Sequence, residues 1–216
     1  MLKDANSWFG RKLLNEHLVQ YQTEDYWFTL DFALDLQLGK DFQQTEFDFT
    51  YNNTRALIFQ GGLGKNFNFY TVAYENQGRF ADYYNRFAES LRPDGGDPAI
   101  IPGRGIAKPF MDEGYDYPVA EGYLSYTPNK FFNLQFGHGK NFIGDGYRSL
   151  LMSDNASPYP YFKLNTTFWK LKYTNTWMSL RDVRPAVTEN GSFRTKYMAN
   201  HYLSYNVTKR LNIGLL

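Results

Sequence analysis

The chain has 216 residues, enough for one ordinary domain, and 19% of them are aromatic, with 18 Tyr and 19 Phe, yet the mean hydropathy is polar at −0.55. Its 23 basic and 22 acidic residues leave a net charge of +1, so no long-range field favours nucleic acid, and the lack of cysteine excludes thiol catalysis, Cys-ligated metal and disulfides. So many rings beside so few aliphatic side chains suit a barrel wall with aromatic girdles and a wet lumen better than a soluble core.

No stretch approaches the ~20 apolar residues of a spanning helix, so any membrane crossing must use strands. The start, Met1-Leu2-Lys3-Asp4, lacks the basic-then-apolar pattern of a signal peptide. An exported barrel needs one, which leads to the expectation of a trimmed or incomplete N-terminus.

Residues 1–26 read as a helical, periplasmic segment. Asn6 or Ser7 can cap a helix carrying Leu14, Leu18 and Tyr21 on one face, with Leu13 and His17 beside them. His17 reads as a surface or packing residue, because no second His or carboxylate lies at a metal-binding interval. From Phe28 the period becomes two: Phe28, Leu30, Phe32, Leu34, Leu36 and Leu38 on one side, Thr29, Asp31, Ala33, Asp35 and Gln37 on the other. The pattern recurs at Phe47, Phe49 and Tyr51; at Tyr70, Val72 and Tyr74; at Gly122, Leu124 and Tyr126; and at Phe132, Leu134 and Phe136. It returns at Phe162, Leu164 and Phe168; at Trp169, Leu171 and Tyr173; and at Tyr197, Ala199, Leu203 and Tyr205. One apolar and one polar face argue for antiparallel rather than buried parallel strands.

The connections alternate in length. Tight turns fall at Gly64-Lys65-Asn66, Pro128-Asn129-Lys130, near Thr167 and at Thr208-Lys209-Arg210. Longer connections run over Gly39 to Thr45, Asn76 to Pro118, Lys140 to Pro160 and Arg181 to Arg194. Short turns at one rim and long loops at the other are the rhythm of an up-and-down barrel. The fold expected is therefore all-β: an antiparallel up-and-down transmembrane β-barrel over 27–216, an incomplete portion of about nine strands, with long loops at 76–118 and 140–160. The last strand stops at Leu216 in mid-alternation, and an open set would leave unpaired edges in lipid. Completion by residues outside this chain is expected, with a soluble sheet as the alternative.

Two glycine-rich stretches, Gly61-Gly62-Leu63-Gly64-Lys65-Asn66 and Gly137-His138-Gly139-Lys140-Asn141, fail as phosphate loops, because neither has Ser or Thr after Lys. They read as easing tight turns and strand ends. His17, His138 and His201 are too scattered for a metal cluster, so no metal and no cofactor are expected. His201 alternates with apolar positions, and nothing fixes it beside Ser149 or Ser179 as a hydrolase would require. In the long loop Phe80, Tyr84, Phe87 and Leu91 can share a helical face, followed by a Pro- and Gly-rich run to Gly105 and then Tyr115-Asp116-Tyr117-Pro118. Rings that stack on sugar faces beside charged forks suit glycan binding, while a lumen plug is an equal alternative. In the second loop Asp145 and Arg148 are close enough to pair. Arg79, Arg104, Tyr115, Asp145, Tyr147 and Arg148 are the candidate glycan-binding residues, and no catalytic residue is assigned.

The stretch from Phe136 to Leu150, which contains Gly144-Asp145-Gly146-Tyr147-Arg148-Ser149, resembles the Wzi-like capsule-assembly family of outer-membrane barrels, in its Bacteroidota branch of RemB-type gliding-motility proteins. Tyr159-Pro160-Tyr161, the run Phe168 to Asn175, Phe69-Tyr70-Thr71 with Glu75-Asn76-Gln77, and Tyr205 to Gly214 look like the same branch. The resemblance implies a bacterial outer-membrane protein that anchors surface polysaccharide without turning it over. It also implies that further barrel follows the Asn206-to-Asn212 stretch. The expected partners are surface polysaccharide and outer-membrane lipid, with no nucleic acid. An accessory barrel contacting proteins of a secretion or motility complex is the alternative, and an outer-membrane hydrolase stands third.

Overall fold

The structure, a computed structural model, describes residues 6–43, 47–92, 99–111, 113–184 and 193–216. A short helix, α1 (Trp8–Leu14), has Ser7 as its cap: the Ser7 hydroxyl accepts from the Gly10 amide at 3.1 Å. The helix is shorter than the apolar spacing predicts. Leu18 lies beyond its end, and Tyr21 belongs to a strand, β1 (Val19–Gln22), paired with β2 (Tyr26–Gly39). Strand pairing overrides a helical face here because alternate residues of β1 gain backbone partners on β2.

Then follow β3 (Thr50–Leu63), β4 (Phe67–Arg79), α2 (Asp82–Ser90), the short β5 (Ala99–Ile101), β6 (Gly105–Phe110) and β7 (Gly114–Asp116). The chain continues through β8 (Val119–Asn129), β9 (Phe132–Gly139), β10 (Tyr159–Phe168), β11 (Leu171–Asp182), β12 (Arg194–Asn206) and β13 (Asn212–Leu215). All pairings are antiparallel in one sheet of 13 strands, whose main path runs β1-β2-β3-β4-β8-β9-β10-β11-β12-β13. The expected strands correspond to β2, β3, β4 and β8 to β13. The sheet is open among the described residues: β1 and β13 are its edges and do not pair with each other. No described helix is long and apolar enough to cross a membrane.

Three boundaries differ from the sequence reading. Phe47 and Phe49 precede β3 instead of lying in it. Asn76 lies within β4, so the long connection starts after Arg79. The reversal expected near Thr167 is at Trp169 and Lys170, where Trp169 takes φ 53° and leaves the strand alternation. The long connection itself is not largely irregular, for it holds α2 and the β5 to β7 ribbon; its 93–98 stretch lies outside the described residues. Glycines act as expected at the turns: Gly64, at φ +57°, closes β3 to β4. A side chain at Gly137 would meet the Gly122 carbonyl oxygen at 2.6 Å and the Tyr161 ring at 3.0 Å.

Register makes the two faces continuous from strand to strand. One row reads Phe28, Gly61, Phe69, Leu124, Phe136, Phe162, Trp177 and Ala199 across eight consecutive strands. This face is uncovered: Leu34 is 58% exposed, Leu124 50% and Phe136 62%. The other face is polar and hydrogen-bonded within itself. Asn133 donates to Ser125 and Thr127 at 2.9 and 3.0 Å, Asn165 donates to Asn133 at 3.2 Å, and Thr174 donates to Asn165 at 2.7 Å. Burial is thus inverted relative to a water-soluble sheet. Thr29, Thr54, Asn76 and Thr176 are buried on the covered face, beside Val72, Tyr161 and Met178, while leucines and phenylalanines of the other face stand free.

Both long connections lie on the polar face. Asn76, fully buried, accepts from the Thr54 hydroxyl at 2.8 Å and donates to the Tyr117 carbonyl at 2.9 Å, and the Asn76 carbonyl accepts from the Tyr117 amide at 3.0 Å. The Tyr117 hydroxyl completes the ring of contacts on Asn52. Above this clamp Phe80 and Tyr84 close over buried Ala88, Ala99, Ile101 and Ala107. Small residues allow α2 and the ribbon to approach closely. Replacing Asn76 with Ala strands the buried Thr54 hydroxyl and Tyr117 carbonyl, and is expected to cost about 1–3 kcal/mol. A lower urea midpoint and faster proteolysis within residues 80–118 are the expected readouts; wild-type values for both contradict this account of the docking.

Candidate functional site

A cleft of about 720 Å³ lies between α2 and the β6–β7 ribbon, lined by Phe47, Asp82, Arg86, Glu89, Arg92 and Tyr115 among others. Asp82 begins α2, where a carboxylate suits the positive end of the helix. Ala81 supplies no side-chain cap; Asp41, from the β2–β3 connection, accepts from the Asp82 amide at 3.1 Å instead. One helical turn on, Arg86 meets Asp82 at 2.9 Å, and Arg92 meets Glu89 at 2.7 Å. The Tyr115 hydroxyl donates to the other Glu89 oxygen at 2.8 Å. Burial, and then that bond to Glu89, push the Tyr115 hydroxyl well above its ordinary ionisation range. The cleft therefore offers two guanidinium forks held by carboxylates beside the rings of Tyr115 and Phe47, the last contributed by the β2–β3 connection. Such a surface can stack an apolar sugar face and hydrogen-bond hydroxyls.

The six residues chosen from the sequence are not brought together. Only Tyr115 lines this cleft, and it is buried. Arg79 is committed elsewhere: its Nε and Nη2 donate to the Phe49 carbonyl at 3.1 and 2.8 Å, and it stacks 4.6 Å from the Phe47 ring centre. Arg104 is exposed and lines a second cavity of about 300 Å³ beside His138 and Ser157. Asp145 borders a third cavity on the polar face, while Tyr147 is 91% exposed with Arg148 5.5 Å above its ring. No ion pair joins Asp145 to Arg148. The loop is held instead by Ser149, which donates to the Ile143 carbonyl, and by an isolated bridge between Ile143 and Met152.

Several functional side chains were not singled out from sequence. Lys140 donates to the Gly103 and Asp154 carbonyls and so ties the two long connections to each other. Its burial lowers its affinity for a proton, which Glu121 partly offsets. Arg86, Glu89 and Arg92 were legible as an i, i+3 and i+6 series on the expected helix, but nothing in their spacing marked them as a cleft wall. His17 has a carboxylate partner after all, with Nδ1 2.6 Å from Asp31 Oδ2 across 14 residues of chain. His201 lies on the apolar face with Asn175 and Tyr173 as ring partners, at 2.6 and 3.0 Å. Among the described residues no three His, Asp or Glu side chains converge on a metal position.

The clamp beneath the cleft has a titration signature. Burial pushes the Tyr117 hydroxyl up to about 12 from an ordinary value of 10.0, with Arg104 opposing. A raised folded-state value means its contribution to stability is complete below pH 10 and is lost as pH rises through about 12. In an alkaline titration followed by tyrosinate absorbance, Tyr117→Phe is expected to remove one late-ionising tyrosine. Removal of one that ionises near the ordinary value contradicts the burial.

Compared with models of known protein families, with curated proteins and with solved structures, the chain matches none.

Proposed function

We propose that this chain is the wall of a bacterial outer-membrane β-barrel that holds surface polysaccharide without chemical turnover. The observation that carries the reading is the inverted burial of the sheet. A row of Phe, Leu and Trp, with Gly61 and Ala199 as its small members, crosses eight strands on an uncovered face, while the other face carries the hydrogen-bonded polar ladder and is roofed by the two long connections. In water, so large an apolar area on one side of a sheet has no favourable neighbour; in hydrocarbon it is the required surface. The tight turns gather at one rim and the long connections at the other, as expected when one rim meets the periplasm and the other the cell exterior.

The binding role rests on the cleft under α2. Its paired Arg and carboxylate groups and its rings suit the hydroxyls and flat faces of sugars. The resemblance of the Gly144-Asp145-Gly146-Tyr147-Arg148-Ser149 segment to capsule-assembly barrels points the same way.

Two experiments test the two halves. In protein refolded into phospholipid vesicles, Leu124→Lys is expected to destabilise by about 2–4 kcal/mol, the cost of a lysine at the bilayer midplane. A change within about 0.5 kcal/mol, as for an exposed site in water, contradicts the membrane reading. For the glycan half, Arg86→Ala with Arg92→Ala is expected to weaken binding of the host's own surface oligosaccharide by at least about tenfold, since hydrogen bonds to charged groups are worth about 1.5–3 kcal/mol each. Unchanged retention of polysaccharide on cells carrying the double variant contradicts it.

A further inference from the structure

Away from the α2 cleft, the polar face carries a separate cavity of about 360 Å³ beneath the start of the second long connection. Its floor is built by neighbouring strands: Lys163 and Asn165 from β10, Lys172 and Thr174 from β11, and Tyr202 from β12. Register sets the two lysines at opposite corners of the Asn165–Thr174 pair, since Lys163 faces Thr176 and Lys172 faces Thr167. Among the described residues neither lysine has a carboxylate within ion-pair distance, and the Lys163 ammonium lies 5.2 Å from the Tyr161 ring centre. Among the described residues Asp145, at the rim, is the single acidic one bordering the cavity.

The roof contains the second and independent observation. Asn141 is 6% exposed, yet both its side-chain oxygen and its side-chain nitrogen lack a protein partner, while its backbone amide is satisfied by the Tyr159 hydroxyl at 3.1 Å. Buried polar atoms are almost always hydrogen-bonded, so an amide held here with both ends unmet is placed for something that enters. Its nitrogen requires an acceptor and its oxygen a donor. Two ammonium groups below require negative charge.

We propose that this cavity binds a hydroxylated oxyanion, a small solute or chain unit in which a carboxylate or phosphate lies beside sugar-type hydroxyls. The oxyanion sits between Lys163 and Lys172, and a neighbouring hydroxyl donates to Asn141 Oδ1 while an oxygen accepts from Asn141 Nδ2. A charged acceptor shortens and strengthens each lysine contact, and the fixed amide selects a hydroxylated anion over a bare one. The site shares with the proposed function the premise that the polar face is the watered side. It shares no residue with the α2 cleft, so glycan retention there and anion binding here fail independently.

The test is equilibrium binding to the full chain in detergent, with glucuronate, glucose phosphate, neutral glucose and acetate as probes. Glucuronate or glucose phosphate is expected to bind at least ~10-fold more tightly than glucose, a difference set by charge-assisted hydrogen bonds. The tighter of the two anions identifies carboxylate or phosphate as the natural group. Lys172→Gln, at an exposed position that tolerates change, is expected to reduce anion binding, and Lys163→Gln with Lys172→Gln to abolish it. Asn141→Leu is expected to narrow the gap between glucuronate and acetate. Lys130→Gln with Lys170→Gln, at the tight-turn rim, removes equal charge and leaves binding unchanged. Glucose binding as tightly as the anions, or Lys172→Gln retaining wild-type anion affinity in folded protein, overturns the proposal.

Discussion

The structure depends on one constraint: in a paired strand successive side chains point to opposite faces, and strand register must keep the polar ladder of the sheet on one face and the Phe and Leu row on the other. A slip of one residue between β8 and β9 would put Asn133 and Gln135 beside Leu124 and move Leu134 and Phe136 among the polar groups. The Ser125–Asn133–Asn165–Thr174 ladder opposes such a slip, because each of its hydrogen bonds requires the present register. Gly137 contributes sterically. It lets the Tyr123 and Tyr161 side chains close over the sheet where any larger residue would strike the neighbouring strand. Polar satisfaction on one side therefore fixes the apolar surface on the other.

The same constraint explains where chemistry can reside. An uncovered apolar face offers nothing to a polar ligand, so recognition is confined to the polar face and the connections that roof it. Asn76 and Tyr117 join the first connection to β4, and Lys140 then joins the first connection to the second. The roof is thereby one linked assembly resting on a hydrogen-bonded floor. The α2 cleft opens in its upper part, and the lysine cavity lies between roof and floor. Tyr84 and Tyr115 show how the roof is sealed: burial raises the ionisation range of both, so neither hydroxyl charges near neutral pH.

Much of the sheet was legible because alternation over ten or more residues has a single structural meaning, and because Gly64, Asn129 and Thr208 mark turns by local chemistry. The Trp169 turn was misplaced by two residues because a tryptophan with positive φ carries no turn signal. The ribbon β5 to β7 was illegible since strands of three to six residues are too short to show a period. The candidate residues were chosen by type, as arginines and tyrosines in glycine-rich loops, and type does not reveal commitment. Arg79 is consumed by the Phe49 carbonyl and its neighbouring rings, and Tyr115 by Glu89. Lys163 and Lys172 went unnoticed for the converse reason: in sequence they are ordinary members of a polar alternation, and only strand pairing places them around one cavity. The contact between Asn76 and Tyr117 spans 41 residues, a separation at which local patterning has nothing to say.

The most direct measurement of the central claim uses tryptophans that the register places on opposite faces. Trp177 belongs to the apolar row and Trp27 to the polar face, in line with Thr29 and Asp31. In single-tryptophan variants refolded into vesicles of brominated-acyl phospholipid, bromine quenches a ring only on contact. The account requires strong quenching at Trp177 and little at Trp27. Equal quenching of the two, or quenching of Trp27 alone, contradicts it.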